Sequence, residues 1–251
     1  MRLALVPVVV LLASVVPAPA SSAPPPVSVG VELGVVSRDI EVEGGPALGT
    51  VNGVADSTRI TARLSLGVAP GLALFGEVGG ADLAVDEFNG YRSDMHVLYG
   101  GGLRLALAER PYPQRLSVYS DFKVSRLATS DRLITQVCTS ACGTSSEVLV
   151  DDMVDEDLAW TEYAVELGIK GGYQGFRPFG GVRFSKLDGT DRVRSVQSGL
   201  IDERADVREL DSVGLFFGAD IPLDRDERTA IAIRFSGIDE NAFRVGYNVA
   251  F

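Results

Sequence analysis

The sequence has little of the chemistry that most catalytic and metal sites need. It contains a single histidine, His96, and only two cysteines among 251 residues. Basic side chains are also scarce, because 23 lysines and arginines stand against 34 aspartates and glutamates, a net charge of -11. Nucleic-acid binding needs a basic surface to meet the phosphates, so this balance argues against a nucleic-acid partner. The sequence indicates no cofactor.

The first 20 residues are typical of a secretory signal peptide. Arg2 supplies the positive end, residues 3–16 form an apolar run, and the small residues of 18–20 provide a cleavage site. The alternative is a membrane-anchoring helix, but the run is shorter than the ~20 residues that a spanning helix needs, and Pro7 interrupts it. We therefore expect export with cleavage.

No later segment has 18 consecutive apolar residues, so a membrane span in the mature chain would have to be built from strands. Residues 21–26 form a short Pro-rich leader. Residues 27–251 are long enough for one barrel or sandwich domain.

The two cysteines, Cys138 and Cys142, are separated by three residues and lie beside Thr and Ser. With no other Cys or His nearby, zinc is poorly supplied with ligands, and no metal site is predicted. In an oxidising compartment a small local disulfide is the better interpretation.

The last nine residues alternate strictly between large apolar and small or polar side chains, which predicts a strand with one apolar face. Nine further segments alternate in the same way, and the connections between them are by turns long and short. We predict ten strands, near 27–35, 60–68, 72–78, 96–107, 116–124, 160–170, 179–184, 212–221, 231–235 and 243–251.

The closing strand resembles that of bacterial outer-membrane β-barrels, in which a terminal aromatic residue is a signal for the assembly machinery. The residues that carry this resemblance are Phe243, Val245, Tyr247, Val249 and Phe251.

Over the whole mature chain the pattern resembles the small OmpA- and OmpX-type or porin-like barrels of Gram-negative bacteria. It implies an all-β fold, a single transmembrane antiparallel up-and-down barrel with short periplasmic turns and long extracellular loops. Eight or twelve strands, or a soluble lipocalin-like barrel or sandwich, remain alternatives. The implied location is the cell outer membrane, with its lipids, lipopolysaccharide and the barrel assembly machinery as partners.

If the apolar faces meet lipid, the opposite faces line the lumen. Charges enclosed there are costly unless they are paired, so we expect a largely plugged lumen, with a narrow channel as the alternative. The predicted lumen charges are Glu32, Arg63, Glu77, Arg104, Asp121, Lys123, Glu162, Glu166, Lys170, Arg183, Asp220, Arg234 and Arg244.

The longest stretches predicted to be irregular loops are 129–157 and 188–211, and many of the remaining acidic residues lie in such loops, as in 151–157. Carboxylate oxygens suit divalent cations or an extracellular ligand, although no loop has the regular spacing of a calcium site. Solvated loops kept soluble by charge are the simpler interpretation.

Asp94 and His96 form an Asp-x-His pair, predicted on the lumenal face near the long loops, that can orient an imidazole for general-base catalysis. Omptin proteases are similar, and Asp155 and Asp157 resemble their second acidic pair. The order of the two pairs along the chain is reversed, however, and no wider motif matches. We therefore predict no catalytic residues and treat a rim hydrolase as the last alternative.

Overall fold

The computed structural model describes residues 27–44, 50–85, 91–110, 116–140, 148–172, 175–196, 198–199 and 201–251. The regular structure of these ranges consists of long β-strands, and none of their residues belongs to a helix long and apolar enough to cross a membrane. The strands are β1 (Val27–Glu43), β2 (Thr50–Ala69), β3 (Leu72–Val85), β4 (Tyr91–Arg110), β5 (Leu116–Ser140), β6 (Val148–Lys170), β7 (Arg177–Ser195), β8 (Asp202–Glu209), β9 (Val213–Pro222), β10 (Thr229–Gly237) and β11 (Asn241–Ala250).

The predicted signal peptide, the Pro-rich leader and Cys142 lie outside the described residues. Cys138 lies near the end of β5. The disulfide therefore stays a prediction.

Ten of the strands close into one ring of antiparallel neighbours. Each strand from β1 to β7 pairs with the next, β7 pairs with β9, and β9 continues through β10 to β11. The ring closes where β11 pairs with β1, from Ala250 opposite Ser28 to Asn241 opposite Ser37. Such closure pairs the backbone groups of every strand and leaves no free sheet edge. The predicted ten-stranded up-and-down barrel is confirmed.

An eleventh strand, β8, takes the place of β9–β11 in the upper part of the barrel wall. It pairs on one side with residues 188–194 of β7 and on the other with residues 40–43 of β1. At that level β9, β10 and β11 have ended, because they have only 10, 9 and 10 residues, against 25 in β5. The barrel thus has a wide half, formed by β1–β7 with β9–β11, and a narrow half, formed by β1–β8.

The outer surface of the wide half is an apolar belt. On β1, for example, Leu33 and Val35 are 56% and 53% exposed, whereas Gly34 between them is buried on the inner face. Each strand of the wide half contributes exposed apolar residues to this belt, among them Leu33, Leu64, Val78, Val97, Val124, Ile169, Phe184, Phe217, Phe235 and Tyr247.

The alternation continues into the narrow half with its polarity inverted. The outward positions of β1 become Ser37, Asp39 and Glu41, while Ile40 and Val42 are buried inside. The prediction of long irregular stretches over 129–157 and 188–211 is therefore wrong. β5, β6 and β7 run through most of those residues, and β8 lies within the second stretch.

Candidate functional site: the barrel lumen and the wall of the narrow half

A cavity of about 460 Å³ occupies the lumen of the wide half. The structure places every predicted lumen charge either on the lining of this cavity or in an ion pair on the inner face next to it. The residues on the lining are Glu32, Arg63, Glu77, Arg104, Lys170, Asp220, Arg234 and Arg244.

Most of these charges are neutralised locally. Two arginines form two-pronged ion pairs: Arg104 donates to Asp121 at 2.7 and 2.5 Å, and Arg234 donates to Glu166 at 2.9 and 2.6 Å. Such paired N–H···O contacts are the strongest geometry between arginine and carboxylate.

Five more of the predicted charges form ion pairs through single contacts. Glu77 lies 2.6 Å from the ammonium of Lys123 and 3.4 Å from the guanidinium of Arg63. Lys170 pairs with Asp220. The cavity wall is therefore polar but close to electrically balanced.

Above the cavity, at the junction of the two halves, a buried network crosses the lumen. We call it the central ion cluster. Glu162 and Glu240 are its main acceptors, and Arg183 contacts both. Four arginines meet four carboxylates, so the formal charges cancel. Its members are Arg38, Arg59, Arg183, Arg244, Glu162, Glu209, Asp239 and Glu240.

The turn between β10 and β11 supplies two of the cluster's carboxylates. Asp239 and Glu240 are buried in the lumen, whereas Ile238 beside them is 63% exposed and has a φ of 86°. A β-branched residue with a positive φ is sterically strained. The ion pairs of Asp239 and Glu240 offset this strain and hold the turn in place. Gly214 leaves room for Asp239, because a Cβ at that position would overlap the Asp239 carboxylate.

Five of the cluster residues were missed by the sequence analysis. Arg38, Glu209, Asp239 and Glu240 lie in stretches that were read as loops or turns, and Arg59 immediately precedes the predicted second strand. Continued period-two alternation past Gly34 would have assigned Arg38 to the inner face of β1. No such signal exists for Asp239 and Glu240, because a turn has no period.

Beyond the central ion cluster, the lumen of the narrow half is filled by an apolar layer. Tyr91, Leu127 and Leu158 are at most 1% exposed, and the Tyr91 hydroxyl is hydrogen-bonded to Thr129 at 2.6 Å. The layer comprises Ile40, Val42, Ala55, Ala81, Leu83, Val85, Tyr91, Leu98, Leu127, Leu158, Trp160, Leu187 and Val207.

Two acidic side chains are buried on the inner face of the narrow half, above the belt. Glu156 and Asp191 are 3% and 8% exposed, and Asp131 lies opposite Glu156 on the neighbouring strand. Burial, with repulsion from the other two carboxylates, raises the pKa of Glu156 to about 8. Burial likewise raises the pKa of Asp191 to about 6.

The Asp94–His96 pair lies where the wall of the narrow half is irregular. β4 and β5 pair only as far as Leu98 opposite Leu127, and a bulge in β4 falls between Ser93 and His96. Asp94 is exposed and His96 is half-buried. The prediction of a shared lumenal face is wrong for Asp94, because the bulge interrupts the alternation.

A depression of about 590 Å³ nevertheless brings together Asp94, His96, Asp155 and Asp157. Asp155 and Asp157 both form ion pairs in this depression. Arg132 donates to Asp155 at 2.7 Å, and Arg194 donates to Asp157 at 2.6 Å. The hydrogen bond from Arg132 lowers the pKa of Asp155. Each of the two aspartates that resemble an acidic pair in the sequence therefore has an arginine partner.

No protein-family model and no curated protein matches this sequence. Among solved structures, the chain is similar to the outer membrane protease OmpT from Escherichia coli, with a TM-score of 0.51 and 11% identity over 90% of this chain and 94% of that one. It is also similar to the outer membrane protein OprG from Pseudomonas aeruginosa, with a TM-score of 0.43 and 10% identity over 91% and 96% of the two chains. These identities bear on the fold alone. The chain has the up-and-down β-barrel fold of outer-membrane proteins.

Proposed function

We propose that this protein is a closed barrel of the bacterial outer membrane, with a structural or surface-interaction role and no enzymatic activity. One observation carries the proposal: the lumen is crossed by the central ion cluster and then filled by the apolar layer. A water path through a barrel needs a continuous polar gap, and both layers oppose one.

The apolar belt supports placement in a membrane, since a soluble barrel would present polar groups on that surface. The signal peptide expected over residues 1–20 is consistent with export. Contacts with outer-membrane lipids, lipopolysaccharide and the barrel assembly machinery belong to this proposal. Extracellular ligands would meet the acidic outer wall and loops of the narrow half.

Membrane placement is tested by fractionating cells and comparing gel mobility with and without heating. We expect the protein in the outer-membrane fraction, with a folded form that migrates differently from the heated one. Recovery of all the protein in the soluble periplasmic fraction would refute the placement.

A narrow porin-like channel is the second candidate, and the polar cavity of the wide half supports it. Swelling of protein-containing liposomes in small sugars and amino acids separates the two candidates. A closed barrel gives swelling no faster than protein-free liposomes, whereas a channel gives rates that fall with solute size.

A rim hydrolase is the last candidate, supported by the four residues that share the depression. The test compares hydrolysis of peptides and lipids by the refolded wild type and by His96→Ala. Activity that is present in the wild type and lost in the variant would establish the hydrolase. Absent or equal activity would remove it.

A further inference from the structure

Two cations lie at the edge of the apolar belt that faces the narrow half. On β5, Arg126 comes two residues after Val124, an outward belt residue that is 46% exposed. On β7, Lys186 comes two residues after Phe184, which is also 46% exposed. Because side chains alternate along a strand, both cations point outward directly above the last belt residues of their strands.

The strand register brings these cations beside two tyrosines and a threonine. Tyr99 on β4 is opposite Arg126, and Tyr163 on β6 is opposite Lys186. Thr161, between them on β6, is opposite Arg126. Tyr99 and Tyr163 are about half exposed, at 53% and 46%. Tyrosine is enriched at membrane–water interfaces, where its apolar ring and polar hydroxyl are both satisfied.

Arg126 and Lys186 form no ion pair with any described residue. Farther from the belt on the same wall, arginines are paired: Arg132 with Asp155, Arg192 with Asp202 and Arg194 with Asp157. The chain has more carboxylates than cations, with a net charge of -11, and yet these two cations at the belt edge have no carboxylate partner. We therefore expect them to attract an anion from outside the protein.

One carboxylate lies close to these residues. Asp188 is on β7, two residues beyond Lys186, and is opposite Thr161 of β6. Asp188 lies farther from the belt than Lys186, in the same row as Arg126 and Thr161, and Arg208 on β8 is opposite it on the other side. An anion on the belt side of Thr161 would therefore lie nearer to Lys186 than to Asp188.

We propose that Arg126, Lys186 and Thr161 bind a phosphate group of an outer-leaflet lipid headgroup, with Tyr99 and Tyr163 packing against its acyl region. The inference rests on the proposed placement in the outer membrane. The guanidinium fork binds phosphate oxygens in pairs, the ammonium adds a point charge, and the hydroxyl adds a donor. Neighbouring strands are about 4.8 Å apart, so the two long side chains, two strands apart, converge over β6.

The test titrates diphosphoryl lipid A, or the same lipid with its phosphates removed, into the folded protein in neutral detergent and counts bound lipid by native mass spectrometry. The wild type is expected to prefer the phosphorylated lipid. In the double variant Arg126→Gln/Lys186→Gln that preference should fall about 30-fold, at about 1 kcal/mol for each cation near an anionic surface. Arg192→Gln, on the same wall but paired with Asp202, is the matched control and should keep the preference.

An equal affinity for the two lipids, an unchanged double variant, or an equal loss in Arg192→Gln would each overturn the inference. Inorganic phosphate is added as a further arm, and it should not displace the lipid at millimolar concentration; displacement would identify a free-anion site instead. Folding is checked in each variant by heat-modifiable mobility. A wild type that inserts normally into the outer membrane but shows no preference for the phosphorylated lipid would end this inference alone, whereas a soluble protein would end the proposed placement.

Discussion

Strands β1–β7 run through both the wide and the narrow half of the barrel, and the polarity of their two faces is opposite in the two halves. In the wide half the outer face is apolar and the inner face carries ion pairs. In the narrow half the inner face is an apolar layer, and the outer face carries ion pairs such as Arg132–Asp155. The difference follows from what surrounds each half, because apolar side chains face whichever side excludes water.

The junction between the halves carries the heaviest electrostatic demand. The central ion cluster is almost entirely buried, so each charge depends on its partners to offset the cost of desolvation. Ion pairs on the outer wall of the narrow half remain hydrated, and each contributes little. Substitutions in the two settings should therefore differ in size.

The largest effect is expected at the central ion cluster. Glu240→Gln removes the carboxylate shared by Arg38, Arg183 and Arg244, which leaves the buried cluster with one uncompensated positive charge. We expect the free energy of unfolding to fall by about 3–5 kcal/mol. The measurement is urea unfolding of the refolded protein in lipid vesicles. Glu227→Gln is the control, because its ion pair with Arg177 is solvent-exposed. A similar loss in both variants would contradict the distinction.

The next effect is expected in the apolar layer. Leu127→Ala leaves a cavity in the lumen of the narrow half, and we expect a loss of about 3 kcal/mol by the same unfolding measurement. Ile134→Ala on the same strand is the control, because Ile134 is 73% exposed and its truncation should cost at most about 0.5 kcal/mol. Equal costs would mean that the narrow half has no packed core.

The third effect depends on pH. Burial raises the pKa of Glu156 from 4.5 to about 8, so the folded state holds its proton more tightly than the unfolded state. Stability should therefore decrease as pH rises from about 4.5 to about 8. Glu156→Gln should be more stable than the wild type at pH 8, with unfolding at a higher urea concentration, and should differ little from the wild type at pH 4.

Asp155, on the same strand, should make stability depend on pH in the opposite direction. Its pKa is lowered by Arg132, so its contribution is present above its ordinary pKa and is lost as pH falls through the lowered value. Asp155→Asn should therefore lose stability at pH 8, and this loss should shrink as pH falls through the lowered pKa of Asp155. Parallel pH profiles for Glu156→Gln and Asp155→Asn would refute the assignment of inner and outer faces.

The smallest effect is expected for an ion pair on the outer wall. Arg192 and Asp202 are 48% and 64% exposed. Arg192→Gln should change the free energy of unfolding by no more than about 0.5 kcal/mol, because hydration competes with the pair. A loss as large as that of Glu240→Gln would mean that the outer wall, like the lumen, is shielded from water.

The wide half could be predicted from the sequence because outward apolar positions repeat with period two, as in 27–35 and 243–251. The narrow half could not, because the same period survives there with polar residues outward, and polar alternation resembles a loop. β8 was hidden for this reason. The central ion cluster depends on a turn, and the inward direction of Asp239 and Glu240 arises from Gly214 and from partners distant in sequence, such as Arg38.

Planar-bilayer recording most directly tests the proposed closure of the lumen by two successive layers. The folded protein is added to a bilayer, and current is recorded at both polarities, with insertion verified by heat-modifiable mobility of the protein recovered from the same preparation. The closed barrel predicts current no greater than that of the lipid alone. A reproducible ohmic conductance from the wild type would contradict the account.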